Sequence, residues 1–424
     1  MTSNTAPGFS NNTTMTGTLH RVVVTGMGVT CPIGKSVAEM NAGLTEGKSG
    51  VVRIPEWELI KELRPLVGGR AAPVNEKIIP RKNRRTMGPE AMFAIIAAEE
   101  AILDAGITKE MLPDIGISVG STLGSPTAYQ EFFFLLKDVG GFSQHKSGTF
   151  PKTMSHTCAA NMAIHFGVKG RVQAPCSACT SGSQSIGLAY EAIRLGSAEI
   201  MLSGGADELH ATAAGVFDII ASASVKYNRT PSETPRPFDQ DRDGMVVGEG
   251  SGILVLESLQ SALRRGARIY AEITGYTSTC DGDHMTTPSI DGIKSCISLS
   301  MKNSNTTPGQ IDFISAHATG TVLGDSIEAG AYRDIFGNKV PIAAHKSYMG
   351  HTFGASGAIE SIICILSINN NVLYPTLHLK KTDETCTGIQ HVTHIQNKEV
   401  NIAMNNNFAF GGINTSLVFK KYTG

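Results

Sequence analysis

The segment Gln310-Ile-Asp-Phe-Ile-Ser-Ala-His-Ala-Thr-Gly-Thr321 follows a helical stretch and is typical of a buried strand that opens into a loop of small residues. An earlier segment, Pro113-Asp-Ile-Gly-Ile-Ser-Val-Gly-Ser-Thr-Leu-Gly124, has the same plan. Recurrence of one such unit is the sequence signature of a duplicated architecture. The two segments therefore predict a chain of two similar halves, although short strand–glycine–helix units also recur by chance.

Two further pairs of segments support this division. The strands that begin at Arg21 and Arg268 both end in Thr-Gly and soon reach a cysteine. The segments around Cys179 and His351 are both Gly/Ser-rich turns that lead into apolar helices. Strands alternate with helices throughout, which is typical of an α/β fold whose sheets are covered by helices on both faces.

The boundary between the halves is predicted near residues 264–268. This gives an N-terminal half at residues 21–265, which carries Cys179, and a C-terminal half at 266–424. Residues 1–20 are rich in Ser, Thr and Asn and lack the basic start and apolar stretch of a secretory signal. We predict that they form a disordered tail.

The composition is that of an ordinary soluble globular protein. Hydrophobic residues make up 41% of the 424 residues, charged residues make up 17%, and the formal net charge is -1. This balance provides no global basic field for nucleic acid or an anionic membrane, and no apolar run approaches membrane-spanning length. Eight scattered cysteines without a signal sequence are typical of reduced thiols. We therefore expect a cytoplasmic protein.

Cys179 is the first candidate for chemistry, because it lies where a small-residue turn ends and a helix begins. The positive end of a helix dipole favours a thiolate, which attacks thioesters readily and leaves the acyl-enzyme readily. Cys176 and Cys179 also form a CxxC pair, as in redox sites and half zinc sites. No second CxxC or CxxH follows, so a nucleophile is the better interpretation of Cys179 and a structural role is the better one of Cys176.

Two later loops carry histidines beside glycines. His317 ends a buried strand, and a helix with an acidic first turn is predicted to start at or near Asp325. The segment Lys346-Ser-Tyr-Met-Gly-His351 places a lysine and a histidine around a glycine, and Glu360 follows in the next helix. Taken alone, a histidine in such a loop is more often a hydrogen-bonded structural group than a catalyst.

Near the C-terminus, Phe410 precedes two glycines. A bulky side chain on a flexible backbone suits a gate. The alternative is a core aromatic before a turn, and for Phe408 we prefer that alternative.

The order of these motifs is more specific than any one of them. They are Cys179-Thr-Ser-Gly, Arg236-Pro-Phe-Asp, Arg242-Asp-Gly, Gly248-Glu-Gly, His317-Ala-Thr-Gly-Thr, Lys346-Ser-Tyr-Met-Gly-His and Asn407-Phe-Ala-Phe-Gly-Gly. From about Arg21 to Lys421 the chain resembles the elongating, type II β-ketoacyl-[acyl-carrier-protein] synthases and the discrete ketosynthases of bacterial polyketide and aryl-polyene pathways. The resemblance implies a thiolase fold, in which two similar halves stack as five αβαβα layers, and usually a dimer.

The resemblance also implies a role for each catalytic candidate. Cys179 would accept the growing acyl chain from the phosphopantetheine of a carrier protein. Malonyl-carrier protein would then lose carbon dioxide, and the enolate would attack the acyl group. His317 and His351, as neutral rings, would donate N–H bonds to the enolate oxygen. Backbone N–H groups of Cys179 and Phe410 would hold the tetrahedral oxyanion, and the Phe410 side chain would be the gate.

Supporting roles follow from the same resemblance. Lys346 would pair with Glu360 and hold the histidine loop, and Asp325 and Glu328 would belong to the same polar network. No metal and no resident cofactor are expected, because the substrates arrive on the phosphopantetheine of a carrier protein.

The family's carrier-docking patch corresponds to a run of four cations, Arg81, Lys82, Arg84 and Arg85. Such a cluster would steer an acidic carrier protein, although a run of charge is often only a solvated face. The expected partners are therefore an acyl carrier protein and, in a dimer, either a second copy of the chain or a homologous chain-length factor.

The chain departs from the usual pattern of fatty-acid synthesis enzymes around the histidines. Those enzymes usually show His-Gly-Thr-Ser-Thr and Ser-Thr-Lys-Ser-Met-Thr-Gly-His. This chain has Ala318, Gly320, Ala344-His345 and Tyr348-Met349 at the points of difference. We therefore favour the ketosynthase of a type II polyketide or polyene pathway over housekeeping fatty-acid elongation.

Three other functions agree less well with the sequence. A non-catalytic chain-length factor has lost its cysteine, whereas Cys179, His317 and His351 are all present. Degradative thiolases use a second cysteine and initiating synthases pair His with Asn, whereas the second motif here supplies a second histidine. A dinucleotide site beginning at Gly26-Met-Gly would have Cys31 in place of its third glycine.

Overall fold

The computed structural model of the protein describes residues 19–424. All but the last two residues of the predicted N-terminal tail, residues 1–20, therefore lie outside the described residues. No helix in the described range is both long and apolar enough to cross a membrane.

The strands follow the β-branched and small apolar runs of the sequence. All nine residues of the first strand, from Val22 to Thr30, are buried, as in a strand covered on both faces. The strands are β1 (Val22–Thr30), β2 (Val51–Arg53), β3 (Val67–Gly69), β4 (Gly116–Gly120), β5 (Val172–Gln173), β6 (Ile200–Asp207), β7 (Gly250–Ser258), β8 (Ala271–Cys280), β9 (Phe313–Ser315), β10 (Pro341–Ala343), β11 (Val372–Leu373), β12 (Gln390–His391), β13 (Gln396–Asn397), β14 (Ile402–Ala409) and β15 (Ile413–Lys420).

The helices alternate with these strands. The helix predicted to begin near Asp325 starts one turn earlier, at Val322, because Thr321 is the last residue with extended backbone angles. The α-helices are α1 (Val37–Glu46), α2 (Arg81–Arg84), α3 (Pro89–Asp104), α4 (Pro126–Val139), α5 (Thr149–Thr153), α6 (Thr157–Phe166), α7 (Ser181–Arg194), α8 (Ala211–Ile219), α9 (Leu259–Arg264), α10 (Ile290–Asn303), α11 (Val322–Phe336), α12 (Lys346–Met349) and α13 (Ser356–Asn370).

The main sheet has eleven strands in the order β12-β10-β9-β14-β15-β8-β1-β7-β6-β4-β5. Its two halves meet where β1 pairs with β8 in an antiparallel arrangement. Outward from this junction, each half has two antiparallel pairings followed by parallel ones, two in the N-terminal half and three in the C-terminal half. The pairing pattern is therefore repeated, as the paired segments of the sequence predict.

Helices separate and cover the two groups of strands. The central helices α7 and α13 both contact strands of both halves, whereas α3 and α6 cover the outer face of the N-terminal strands. On the other side α10 packs on β8 and β15, with α11 beside it. The result is the five-layered αβαβα arrangement expected for a thiolase fold, so the predicted fold class is confirmed.

Close packing explains the Gly26-Met-Gly28 motif that resembles part of a nucleotide-binding loop. A Cβ atom at Gly28 would lie 1.9 Å from the carbonyl oxygen of Ala97 in α3, and one at Gly26 would lie 2.3 Å from that of Ala101. These glycines therefore allow β1 to approach α3 closely, a role in packing and not in phosphate binding.

Candidate active site

Cys179 lies in a short 3₁₀ turn, Ala178–Thr180, that leads directly into α7. Ala178 has a φ of 51°, a left-handed conformation that costs free energy for a residue with a side chain. Ser181 stabilises the turn, because its Oγ accepts a bond from Ser177 N at 2.9 Å and donates to Ala178 O at 2.7 Å. The thiol is thereby held at the start of a buried helix, as the sequence predicts.

Asp207, at the end of β6, stabilises the surroundings of this turn. Its carboxylate accepts hydrogen bonds from Ser121 Oγ at 2.7 Å, from Thr122 N at 3.0 Å and from Gly354 N at 2.6 Å. Thr122 in turn donates from its hydroxyl to Ala178 O at 3.3 Å. One carboxylate therefore joins loops from both halves beside the nucleophile. Burial raises the pKa of Asp207 to about 6.

The structure brings His317 and His351 to Cys179. Their ring centroids are 5.2 Å apart with the planes nearly perpendicular, and one ligand atom from each of the three side chains lies within 4.8 Å of the others. Ser356 Oγ lies 2.9 Å from His351 Nδ1, which leaves His351 Nε2 available to a substrate. Among the described residues, these sulfur and nitrogen atoms are also the set that could hold a thiophilic metal such as zinc.

Both imidazoles are neutral at physiological pH. Burial, and then the nearby Lys346 ammonium, lower the pKa of His317 and of His351 well below the ordinary histidine value. A neutral ring has one N–H donor and one nitrogen acceptor. Each histidine can therefore donate to an oxyanion or accept a proton, as the predicted roles require.

The protonation state of Cys179 differs from the expectation that the helix end favours a thiolate. Burial raises the pKa of the Cys179 thiol to about 12. The positive charge of Lys346 lowers this pKa, but by less than burial raises it. Removal of the thiolate from water disfavours its ionisation, and this cost exceeds the stabilisation by the Lys346 charge. The nucleophile therefore needs a base, and the neutral histidine rings are within reach.

Lys346 pairs with Glu360 in the interior, as predicted. The ammonium Nζ lies 2.5 Å from Glu360 Oε1, and Asn407 Nδ2 donates to Glu360 Oε2 at 2.6 Å. Both charged side chains are almost fully buried, so each needs this pairing to offset its desolvation. The pair fixes a positive charge beside the two histidines.

Asp325 and Glu328 hold the loop that carries His317. Glu328 Oε1 accepts the backbone N–H of His317 at 2.7 Å and the hydroxyl of Tyr332 at 2.7 Å. Asp325 Oδ1 accepts the backbone N–H of Thr319 at 3.0 Å. Burial raises the pKa of Asp325 to about 6 and that of Glu328 to about 8. Both residues therefore act on the backbone of the loop and not on the histidine ring.

A cavity of about 380 Å³ opens onto Cys179, His317 and His351. The Phe410 ring lines this cavity and packs 5.5 Å from the ring of Phe217. Phe408 also lines it and is buried in the core of the C-terminal half, with its ring 6.1 Å from that of His317.

The four predicted docking cations do not line this cavity; they lie on and next to α2. Arg84 is engaged locally, because its Nε donates to Ile79 O at 3.1 Å. Arg81, Lys82 and Arg85 are exposed, and none of them makes an ion pair with another described residue. These three cations are therefore available to an acidic partner.

Sequence reasoning did not find three residues that shape the site. Asp207 had a signal, since it is an acid directly after a Gly-Gly-Ala run at the end of a strand. Ser356 and Tyr332 lie only five and four residues from their partners, His351 and Glu328, but nothing in the local sequence distinguishes these hydroxyls from others beside a helix.

Two family models match the chain. The model described as the N-terminal domain of β-ketoacyl synthase matches residues 19–262, and the model of its C-terminal domain matches residues 270–380. The 3-oxoacyl-[acyl-carrier-protein] synthase 1 of Haemophilus influenzae is 36% identical over 410 residues, which cover 96% of this chain and 100% of that protein.

Solved structures show the same similarity. A β-ketoacyl synthase from Burkholderia phymatum has a TM-score of 0.92 and 38% identity, and the match covers 96% of this chain and 100% of that one. The ishigamide ketosynthase/chain length factor structure has a TM-score of 0.89 and 32% identity, with 96% and 100% covered.

Proposed function

The chain belongs to the β-ketoacyl synthase family, and from that premise we propose that it is the ketosynthase of a type II polyketide or polyene pathway. It is an acyltransferase of the 3-oxoacyl-[acyl-carrier-protein] synthase type, which extends an acyl chain by Claisen condensation. The cluster of Cys179 with two neutral histidines is the observation that carries the proposed mechanism.

Loading begins at the Cys179 thiol. A neutral histidine ring takes the thiol proton while sulfur attacks the carbonyl carbon of an acyl thioester on a carrier protein. The bond between that carbon and the pantetheine sulfur then breaks, and the released pantetheine sulfur takes up the proton. The raised pKa of the buried thiol supports this assignment, because the proton must leave as the sulfur attacks.

Decarboxylation follows when malonyl-carrier protein enters. The bond between the malonyl carboxylate and the adjacent carbon breaks, carbon dioxide leaves, and the electron pair becomes an enolate. N–H groups of His317 and His351 donate to the enolate oxygen. Burial and Lys346 lower the pKa values of both histidines, so both rings are neutral. They therefore act as neutral hydrogen-bond donors, and no further charge has to be buried in the site.

Condensation completes the cycle. The enolate carbon attacks the acyl carbonyl on Cys179, and backbone N–H groups of Cys179 and Phe410 stabilise the tetrahedral oxyanion. Its collapse breaks the carbon–sulfur bond, regenerates the thiol after protonation, and leaves a β-ketoacyl chain on the carrier. The reaction uses no resident cofactor, because both substrates arrive as phosphopantetheine thioesters.

The choice of pathway depends on the residues around the histidines. Ala318 lines the cavity, whereas His345, Tyr348 and Met349 are buried and do not line it. His345 Nδ1 lies 3.1 Å from Ser315 Oγ, and Ser315 is two residues before His317. The similarity to the ishigamide ketosynthase supports a specialised pathway. The 36% identity to a 3-oxoacyl-[acyl-carrier-protein] synthase 1 favours a second candidate, housekeeping fatty-acid elongation.

Two kinds of protein partner belong to the proposal. An acidic acyl carrier protein would be steered by Arg81, Lys82 and Arg85, with Arg84 engaged locally. A second copy of the chain, or a chain-length factor, would cover the exposed aromatic side chains of α4, among them Phe133 and Phe134.

The test follows Cys179 by intact mass after incubation with saturated and with conjugated acyl-carrier proteins, then with malonyl-carrier protein. A specialised ketosynthase loads the conjugated chains faster, whereas a housekeeping enzyme prefers the saturated ones. The reaction is run alone and with any homologous chain-length factor. Absence of acylation in the wild type, or full condensation by Cys179→Ala, would refute the mechanism.

A further inference from the structure

The three side chains of the catalytic cluster have the geometry of a zinc site that is almost closed. One ligand atom from each of Cys179, His317 and His351 lies within 4.8 Å of the other two. With Zn–S bonds of about 2.3 Å and Zn–N bonds of about 2.0 Å, the ligand atoms of a tetrahedral site lie about 3.5 Å apart. The three side chains would therefore have to approach one another by no more than about 1.3 Å to bind one ion.

The two histidines have nitrogen atoms that a metal ion could use. His317 Nδ1 and His351 Nε2 are buried, and neither has a hydrogen-bond partner among the described residues. Both side chains are more than nine-tenths buried, and both rings are neutral, so each has a lone pair for a metal. Ser356 Oγ lies 2.9 Å from His351 Nδ1, the kind of outer contact that orients a metal-bound imidazole.

The charges around the sulfur favour an added cation. Besides burial, three ionisable side chains act on the pKa of the Cys179 thiol: Lys346 lowers it, whereas Asp207 and Glu360 raise it. Two negative charges therefore oppose one positive charge near the sulfur. A Zn²⁺ ion bound to one thiolate carries one net positive charge, which the excess negative charge would balance.

The cavity supplies the remaining requirements of a metal site. Its volume of about 380 Å³ opens onto all three ligands, so an ion has a route to them and a fourth position remains for water. Three protein ligands with one open position are typical of accessible zinc sites. Sulfur and imidazole nitrogen suit Zn²⁺, whereas Mg²⁺ prefers oxygen ligands.

Cys176 is not part of this ligand set, although it forms a CxxC pair with Cys179 in the sequence. Its side chain is exposed, and its sulfur lies 3.3 Å from Thr122 O. The group of ligand atoms that lie together contains Cys179 and the two histidines and does not contain Cys176. The fold therefore replaces the CxxC half-site with a mixed site of one sulfur and two nitrogens.

We propose that the enzyme without an acyl group binds one Zn²⁺ ion through Cys179, His317 and His351, and that this ion reversibly blocks loading of Cys179. One Zn–S and two Zn–N bonds form, water leaves the ion, and the thiol proton passes to the solvent with no change of oxidation state. The ion takes no part in condensation, because it occupies the sulfur that the acyl chain needs. The proposal goes beyond the proposed function and does not depend on which thioester is the substrate.

The test measures zinc binding directly. Wild-type protein is freed of metal with EDTA and titrated with zinc chloride in competition with a chromogenic chelator. We expect one ion per chain, with affinity roughly a hundredfold or more weaker in Cys179→Ala and in His351→Ala, since each variant loses a direct ligand. Co²⁺ in place of zinc should give a thiolate-to-cobalt charge-transfer band in the wild type and none in Cys179→Ala. Magnesium chloride should not compete.

Cys176→Ser is the matched control, and it should bind zinc as tightly as the wild type. An equal loss of affinity in Cys176→Ser and Cys179→Ala would assign the metal to the CxxC pair and overturn the proposal. So would a Co²⁺ complex of the wild type without the sulfur band.

A second measurement needs no variant. Zinc should protect Cys179 of the wild type from alkylation by iodoacetamide, followed by peptide mass, and EDTA should restore both alkylation and loading by an acyl thioester. Alkylation of Cys179 at an unchanged rate in saturating zinc would overturn the proposal. A wild type that is loaded but binds no zinc overturns this inference alone, whereas one that binds zinc but is loaded by no acyl-carrier protein overturns the proposed function and leaves the zinc site standing.

Discussion

The backbone N–H of His317 donates a hydrogen bond to Glu328 Oε1, and the nitrogen lies 2.7 Å from that oxygen. The same oxygen accepts the hydroxyl of Tyr332, which itself accepts a bond from Asn406 Nδ2 at 3.2 Å. The position of His317 therefore depends on a buried chain of hydrogen bonds that does not touch its ring. This arrangement predicts that the two half-reactions respond differently to the loss of Tyr332.

Tyr332→Phe removes the hydroxyl and leaves the ring. We expect decarboxylation of malonyl-carrier protein to slow by roughly tenfold, because the loop of His317 loses part of its support. The hydroxyl also lowers the pKa of Glu328, so this pKa should rise in the variant. Any change in the decarboxylation rate that follows the titration of Glu328 should therefore occur at higher pH than in the wild type. Loading of Cys179, followed by intact mass, should change far less. Equal losses in both half-reactions would contradict this prediction.

Lys346→Met removes the charge that, in addition to burial, lowers the pKa of both histidines. In the wild type their pKa values lie well below the ordinary value, so the rings stay neutral into mildly acidic solution. Without the ammonium both pKa values should rise, and the rings should become protonated at higher pH. The acid limb of the decarboxylation profile should therefore move upward. Lys302→Met, an exposed lysine on α10, is the control and should leave the profile unchanged.

Asp207→Asn tests the carboxylate that joins Thr122 and Gly354. The amide presents an NH₂ group or a weaker acceptor to three donors. We expect loading of Cys179 to slow and the free energy of unfolding to fall by about 2 kcal/mol. Asp312→Asn removes a carboxylate that accepts two backbone N–H groups near the start of β14. It should lower stability without affecting loading, and a similar loading defect in both variants would contradict the assignment.

Gly28→Ala tests the close approach of β1 to α3. The added methyl group would lie 1.9 Å from Ala97 O, so the strand and the helix must separate. We expect the free energy of unfolding to fall by about 2 kcal/mol or more, measured by denaturant titration. At Gly309 an added Cβ meets no atom within 4 Å, so Gly309→Ala should be nearly neutral. Similar stability in the two variants would show that β1 can shift without cost.

The sequence by itself was sufficient for the class of fold and for the catalytic candidates. Repeated strand–loop–helix segments indicate two similar halves, because hydrophobic runs and glycine turns specify local structure. The ordered motifs around Cys179, His317 and His351 predict the three side chains that the structure brings together. Each motif is local, but the order of the motifs along the chain, and the family resemblance that this order carries, selected these residues and implied the thiolase fold.

The tertiary structure decided the properties that depend on desolvation and on distant contacts. Burial reverses the expected ionisation of Cys179, and burial together with Lys346 keeps both histidines neutral, because the free energy of a charge depends on all the atoms around it. The contacts of Asp207 with Thr122 and Gly354, and the bond from Asn406 to Tyr332, likewise join segments far apart in sequence. Sequence motifs identify the candidate reacting groups, whereas the folded environment determines the protonation state of each group.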